Sequence, residues 1–131
     1  MHATYPRDTL TRLETMCMMS DVGMPLTAMR LQLASGVNVL VQVSRQQDGK
    51  RKLTHITEVL GFDVDRGAYL LEDLFVRTHG GVRADGTLES TLAPTGVLPR
   101  CLPQLHEHGM DLPPAVYEAD ARRRALEQGR R

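Results

Sequence analysis

The side chains in this sequence that could do chemistry are few and scattered. His106 and His108 stand two apart, with Glu107 between them. On a helix their rings point about 200° away from each other, and a zinc site needs four donors around one point. Asp63 and Asp65 have the spacing to flank a cation, and a turn before Gly67 explains the same pair. Cys17 and Cys101 are the only cysteines. They fall far apart on segments that read as apolar helix faces, so core thiols in a reducing cytoplasm are expected and not a disulfide. His55 lies in a strand-like run beside Thr54 and Thr57, where a hydrogen-bonded structural role is expected.

The larger signatures are missing. There is no G-x-x-x-x-G-K-S/T loop to cradle a phosphate, no G-x-S-x-G elbow and no C-x-x-C pair. Residue types and spacings therefore assemble no complete reaction. Arg7, Arg12 and Arg30 lie off the apolar stripes of their segments, which reads as a solvated face.

Composition sets the frame for these residues. The chain of 131 residues is long enough for one domain with a real core. Hydrophobic residues make up 41% and charged residues 24%, as in an ordinary globular protein. Sixteen Lys and Arg balance sixteen Asp and Glu. That balance leaves no net field to draw in nucleic acid or an anionic membrane. No apolar run approaches the roughly 20 residues that span a bilayer, and the first residues lack the apolar stretch of a signal peptide. Met16, Met18 and Met19 cluster in one segment. Flexible core filling is the expected use, and a surface that re-packs against a partner is the alternative.

Pro6 and Asp8 suit the start of a first helix, with Leu10, Leu13, Met16 and Cys17 on its apolar face. Gly23 and Pro25 end it, and Leu26, Met29 and Leu33 give a second helix closed by Gly36. Residues 37–43 read as a strand with valine at every second position, so its valines share one face. The Asp48-Gly49 pair predicts a hairpin turn into a second strand over 52–60, ended by Gly61. A third strand is expected over 68–76, and a weak hairpin within 77–93 around Asp85-Gly86. Helices over about 99–108, with Cys101, Leu102 and Leu105 inward, and over about 115–128 complete the reading. Arg122, Arg123, Arg124, Arg130 and Arg131 form a basic end, read as a frayed tail, with binding to acidic protein or nucleic acid as the alternative.

Beyond these patterns, the run from His2 through Pro6-Arg7-Asp8-Thr9-Leu10-Thr11-Arg12-Leu13-Glu14-Thr15-Met16 resembles the segment that follows the histidine box of type II/IV secretion ATPases. It is most similar to the tight-adherence (Tad, CpaF/TadA-type) pilus branch. The likeness continues through Arg30, Ala34-Ser35-Gly36-Val37-Asn38-Val39-Leu40-Val41-Gln42, Ser44-Arg45 and Asp48-Gly49-Lys50-Arg51. It extends over Thr54-His55-Ile56-Thr57-Glu58-Val59, Leu71-Glu72-Asp73-Leu74-Phe75, Thr95-Gly96-Val97-Leu98-Pro99-Arg100 and Gly109-Met110-Asp111-Leu112-Pro113-Pro114. The chain departs from the branch at Gly36 and Asn38, in its sulfur-rich Cys17-Met18-Met19, over 77–93 and after Tyr117.

The resemblance implies an α/β fold, the C-terminal portion of a RecA-like P-loop ATPase core. That portion would hold two helices, a valine-rich strand and antiparallel hairpin strands, followed by short C-terminal helices. Residues 1–77 would be the core portion, starting at a histidine-box remnant. Residues 78–121 would be a variable hairpin with helices, and 122–131 the basic tail. His2 would be the last vestige of the histidine box, and Arg7, Arg12 and Arg30 candidate subunit contacts in a hexameric ring.

ATP and Mg are implied for the whole family, and no cofactor for this chain, whose P-loop and Walker B element would lie upstream in a truncated or split gene or outside a dissected domain. The isolated chain is then expected neither to bind nor to hydrolyse ATP. Expected partners are further copies or the missing ATPase half, and inner-membrane pilus platform proteins, with no nucleic acid. The expected place is the cytoplasmic face of the inner membrane, peripheral and not spanning. A free-standing module that docks on a full-length ATPase or a platform protein is the alternative. Removing the preceding strands would bare the edge of the valine-rich strand, so self-association or marginal stability is expected.

Overall fold

The computed structural model describes residues 3–20 and 23–119. Helix α1, Pro6–Met18, begins with proline at its first turn and has Asp8 near the positive end of its dipole. The Asp8 carboxylate accepts the Tyr5 N–H at 3.0 Å, which fixes the entry of the chain. Helix α2, Leu26–Gly36, follows Pro25. Strands β1 (Val39–Arg45), β2 (Arg51–Asp63), β3 (Ala68–Val82) and β4 (Leu88–Pro94) come next, then the short helices α3 (Leu102–Glu107) and α4 (Pro114–Tyr117). The strands form one antiparallel sheet in the order β1-β2-β3-β4, each paired with its neighbours in sequence. The fold is mixed α/β.

Two of the three hairpins share one turn chemistry. Gln46 donates to the Lys50 carbonyl at 2.8 Å, and Arg83 to the Thr87 carbonyl at 2.9 Å. Gly49 and Gly86 both sit at φ 77°, where a Cβ would be strained. Asp48 and Asp85 each accept a backbone N–H two residues on. The Thr87 hydroxyl bonded to Asp85 holds that carboxyl below the usual aspartate value. The Asp48-Gly49 hairpin thus forms where the sequence predicts it, and the weak hairpin at Asp85-Gly86 is a full pair of strands.

Helices α1 and α2 pack on one face of the sheet. The core there joins Leu10, Leu40, Val59 and Tyr69, with Leu13, Leu33, Val37, Phe62 and Leu71 packed around it. Leu10 is fully buried. The face of β1 that meets the helices carries Leu40 and Gln42, while Val39, Val41 and Val43 point away and stay about half exposed. Period-two spacing puts the valines together without saying which face the helices cover. Gln42 is buried because its Nε2 donates to the Ala3 carbonyl at 2.6 Å.

Several expectations change. Met16, Met18 and Met19 are 56%, 61% and 81% exposed, and so are not core filling. The buried stripe of α1 is Pro6, Leu10 and Glu14, and these methionines lie off it. Gly61 does not stop β2, because a register shift between Val59 and Gly61, with Gly61 at positive φ, carries the strand on to Asp63. Strand β3 runs unbroken through residue 77 to Val82. Helix α3 starts three residues later than predicted, and its N-cap residue Cys101 is exposed, not inward. Helix α4 stops at Tyr117, where Glu118 turns extended. The remainder of the predicted last helix and the basic end lie outside the described residues. Both cysteines are free thiols.

Candidate functional site

The most tightly organised polar group lies where α1, α2 and β3 meet. Glu14 takes its place in the buried stripe of α1 and is only 7% exposed. A carboxylate held this far from water needs partners for its oxygens. Arg30 on α2 supplies two, Nε to Oε1 at 3.0 Å and Nη2 to Oε2 at 3.2 Å. Such a two-pronged pairing suits the planar guanidinium. Tyr69 on β3 supplies the third, its hydroxyl donating to Oε1 at 2.7 Å. The Arg30 guanidinium also lies 5.5 Å over the Phe62 ring, which meets Tyr69 edge to face at 5.1 Å. The hydrogen bond to Glu14 holds Arg30 above its usual pKa. Burial first, and then the bond to Glu14, push the Tyr69 phenol well above its ordinary value. The cluster ties three elements together and offers no free acid or base.

A second polar joint lies at the Glu58 end of the sheet. Glu58, 7% exposed, accepts the Arg100 backbone N–H on both oxygens at 3.0 and 3.1 Å. The Arg100 guanidinium reaches the Leu60 carbonyl at 3.2 Å. Nearby, Thr57 donates to the Asp73 carboxylate and Thr95 to the Asp73 carbonyl, both at 2.5 Å. The segment after β4 is thereby folded back on the sheet, with Pro99 buried.

The arginines expected at a subunit contact do not converge. Arg7 is exposed on α1. Arg12, also exposed, lines an open cleft of about 460 Å³ with Ala3, Thr4, Asp8, Thr11 and Thr15. Arg30 is turned inward onto Glu14, and Arg12 lies about 200° around α1 from that residue. Arg12 and Arg30 therefore sit on opposite sides of the helix. His2 lies outside the described residues.

The cleft beside Arg12 does not fit ATP with Mg²⁺. Among the described residues it presents one guanidinium, three threonines and one carboxylate, which is already engaged by the Tyr5 N–H. Among the described residues no group of three His, Cys, Asp or Glu is placed to hold a metal. Asp63 caps its own turn, accepting the Arg66 N–H at 3.0 Å. His106 pairs with Asp111 at 2.7 Å on the surface. His55 packs edge-on against Tyr5, and its buried Nδ1 has no hydrogen-bond partner among the described residues.

Sequence reading missed Glu14 and Glu58 as organising residues. Glu14 breaks the apolar period of α1 at a core position, four residues after Leu10, and that was the one signal available. Among the described residues no helix is long and apolar enough to cross a membrane. No protein-family model matches the chain, and no curated protein does.

Proposed function

We propose that this chain is the C-terminal portion of a secretion or pilus-assembly motor of the tight-adherence type, built to pass on motion and not to hydrolyse ATP itself. One observation carries the reading. Residues from separate stretches of the resemblance are the joints of the fold. Glu14 bonds Arg30, Thr57 bonds Asp73, Asp73 bonds Thr95 and Glu58 bonds Arg100. The reading rests on the ordered succession of these stretches along the chain, and their contacts place them in one folded unit. Joints of this kind make a rigid body, and a rigid body is what carries a displacement from a nucleotide-driven neighbour to a membrane platform. Under this reading the RecA-like nucleotide half is a separate segment or polypeptide, and ATP and Mg²⁺ act there. No hydrolytic step is assigned to the residues of this chain.

The test uses the purified chain and a P-loop-bearing ATPase of the same secretion class. The chain alone is expected to show no ATP turnover and no nucleotide-dependent thermal shift. Mixed with the ATPase, it is expected to co-elute and to change the turnover rate. Turnover by the chain alone, or failure to associate with such an ATPase, overturns the proposal.

A further inference from the structure

Among the described residues, strand β1 has a hydrogen-bonding partner on one edge only. The Asn38 carbonyl accepts the Val59 N–H at 2.9 Å, so it faces β2. Alternate residues of a strand turn their backbone groups to opposite edges, so Val39 and Val41 direct theirs to the open edge. Exposed edges are ordinarily blunted by a lysine, a proline or a bulge in the edge strand. Strand β1 has none of these. Its register shift against β2 leaves the extra residue, Thr54, on β2. Its one charged side chain, Arg45, is at the far end and donates to the Gly49 carbonyl of its own hairpin at 3.1 Å.

The sequence of this edge also selects its occupant. Val39-Leu40-Val41-Gln42-Val43 reads nearly the same in both directions about Val41. Two copies paired antiparallel about a two-fold axis at Val41 place Val41 opposite Val41 and Val39 opposite Val43. Every valine of the pair then lies on one face, and Leu40 meets Gln42 on the other. Cross-strand β-branched pairs of this kind stabilise a sheet. At Val41 the exposed fraction is 58%, at Val43 50% and at Val39 46%, so the stripe is open to a partner. The equal numbers of acidic and basic residues set up no net repulsion between copies.

We propose that two copies of this chain associate through β1, in register about Val41, to form one continuous eight-stranded sheet. The inference stands on the geometry of β1 in this chain by itself, without the preceding strands that the motor reading would set on the same edge. A pairing of this length buries a small interface, so the dimer is concentration-dependent.

Sedimentation velocity over about a hundredfold range of concentration follows the association. The wild-type chain is expected to shift from monomer to dimer. Val41→Lys sets like charges against each other at the axis and is expected to weaken the dimer at least about tenfold. Val82→Lys, at an exposed valine far along β3, is expected to leave it unchanged. A second readout holds even if Val41→Lys fails to fold. Paired residues of this type lie about 5.5 Å apart at Cα, within disulfide reach. With Cys17 and Cys101 replaced by serine, Val41→Cys is expected to form a covalent dimer under copper phenanthroline, and Val82→Cys is not. A monomer at every concentration, a dimer indifferent to Val41→Lys, a dimer equally lost in Val82→Lys, or no selective cross-link at Val41 overturns the proposal.

Discussion

Tyr69 and Glu14, 55 residues apart in the chain, meet through a 2.7 Å hydrogen bond from the phenol to the carboxylate. The bond joins β3 to the first helix. It also keeps the phenol neutral, because an ionised tyrosine would face the Glu14 charge in a site 6% exposed. Arg30 completes the group and leaves no oxygen of Glu14 unpartnered.

Replacing the phenol tests this joint. Tyr69→Phe removes a hydrogen bond to a charged acceptor and is expected to cost about 1.5–3 kcal/mol near neutral pH. The pH dependence has a definite sign. The folded state holds the Tyr69 proton more tightly than the unfolded chain, whose tyrosines titrate at about 10. The contribution is therefore complete below about pH 10 and is lost as pH rises toward the folded value. Thermal melts from neutral to strongly alkaline pH should show a steeper alkaline decline in the wild type than in Tyr69→Phe. Parallel declines would remove Tyr69 as the cause.

The Glu58 joint makes a local prediction. Its carboxylate is the acceptor for the Arg100 N–H, so Glu58→Ala leaves that amide without its partner. A bond to a charged acceptor is worth about 1.5–3 kcal/mol, so exchange of the Arg100 amide should accelerate roughly ten- to hundredfold. Amides in the hairpin at Gly49, far from the joint, should keep their protection. Unchanged exchange at Arg100 would mean that the segment is held by Pro99 and its apolar contacts instead.

The second hairpin turn depends on Gly86 at φ 77°, in open space. Gly86→Val meets no steric neighbour, and its penalty comes from backbone conformation alone. A β-branched residue at positive φ is expected to cost about 1–3 kcal/mol, and Gly86→Asn clearly less. Denaturant midpoints of the two variants decide the matter. Equal midpoints would show that the turn relaxes to a different type.

The positions of the turns and of the first two helices were legible because their causes are local. Pro6, Pro25, Asp48-Gly49 and Asp85-Gly86 impose or permit particular backbone angles wherever they occur. The length of β2 was not legible. Gly61 reads as a stop by itself, and the pairing of Phe62 with Tyr69 across the sheet carries the strand past it.

From its own order of residues the chain determined two amphipathic helices, an alternating valine strand and hairpins closed by Asp-Gly, together with the lack of any phosphate-binding loop. Only the tertiary structure decided that Leu40 and Gln42, and not the valines, face the helices, because a repeat of two residues has two equivalent faces until a packed layer chooses between them. It also decided that Glu14 is core and that Met16, Met18 and Met19 are surface. A carboxylate can be buried only where Arg30 and Tyr69 converge on it, and those partners are 16 and 55 residues away. No local pattern contains that meeting.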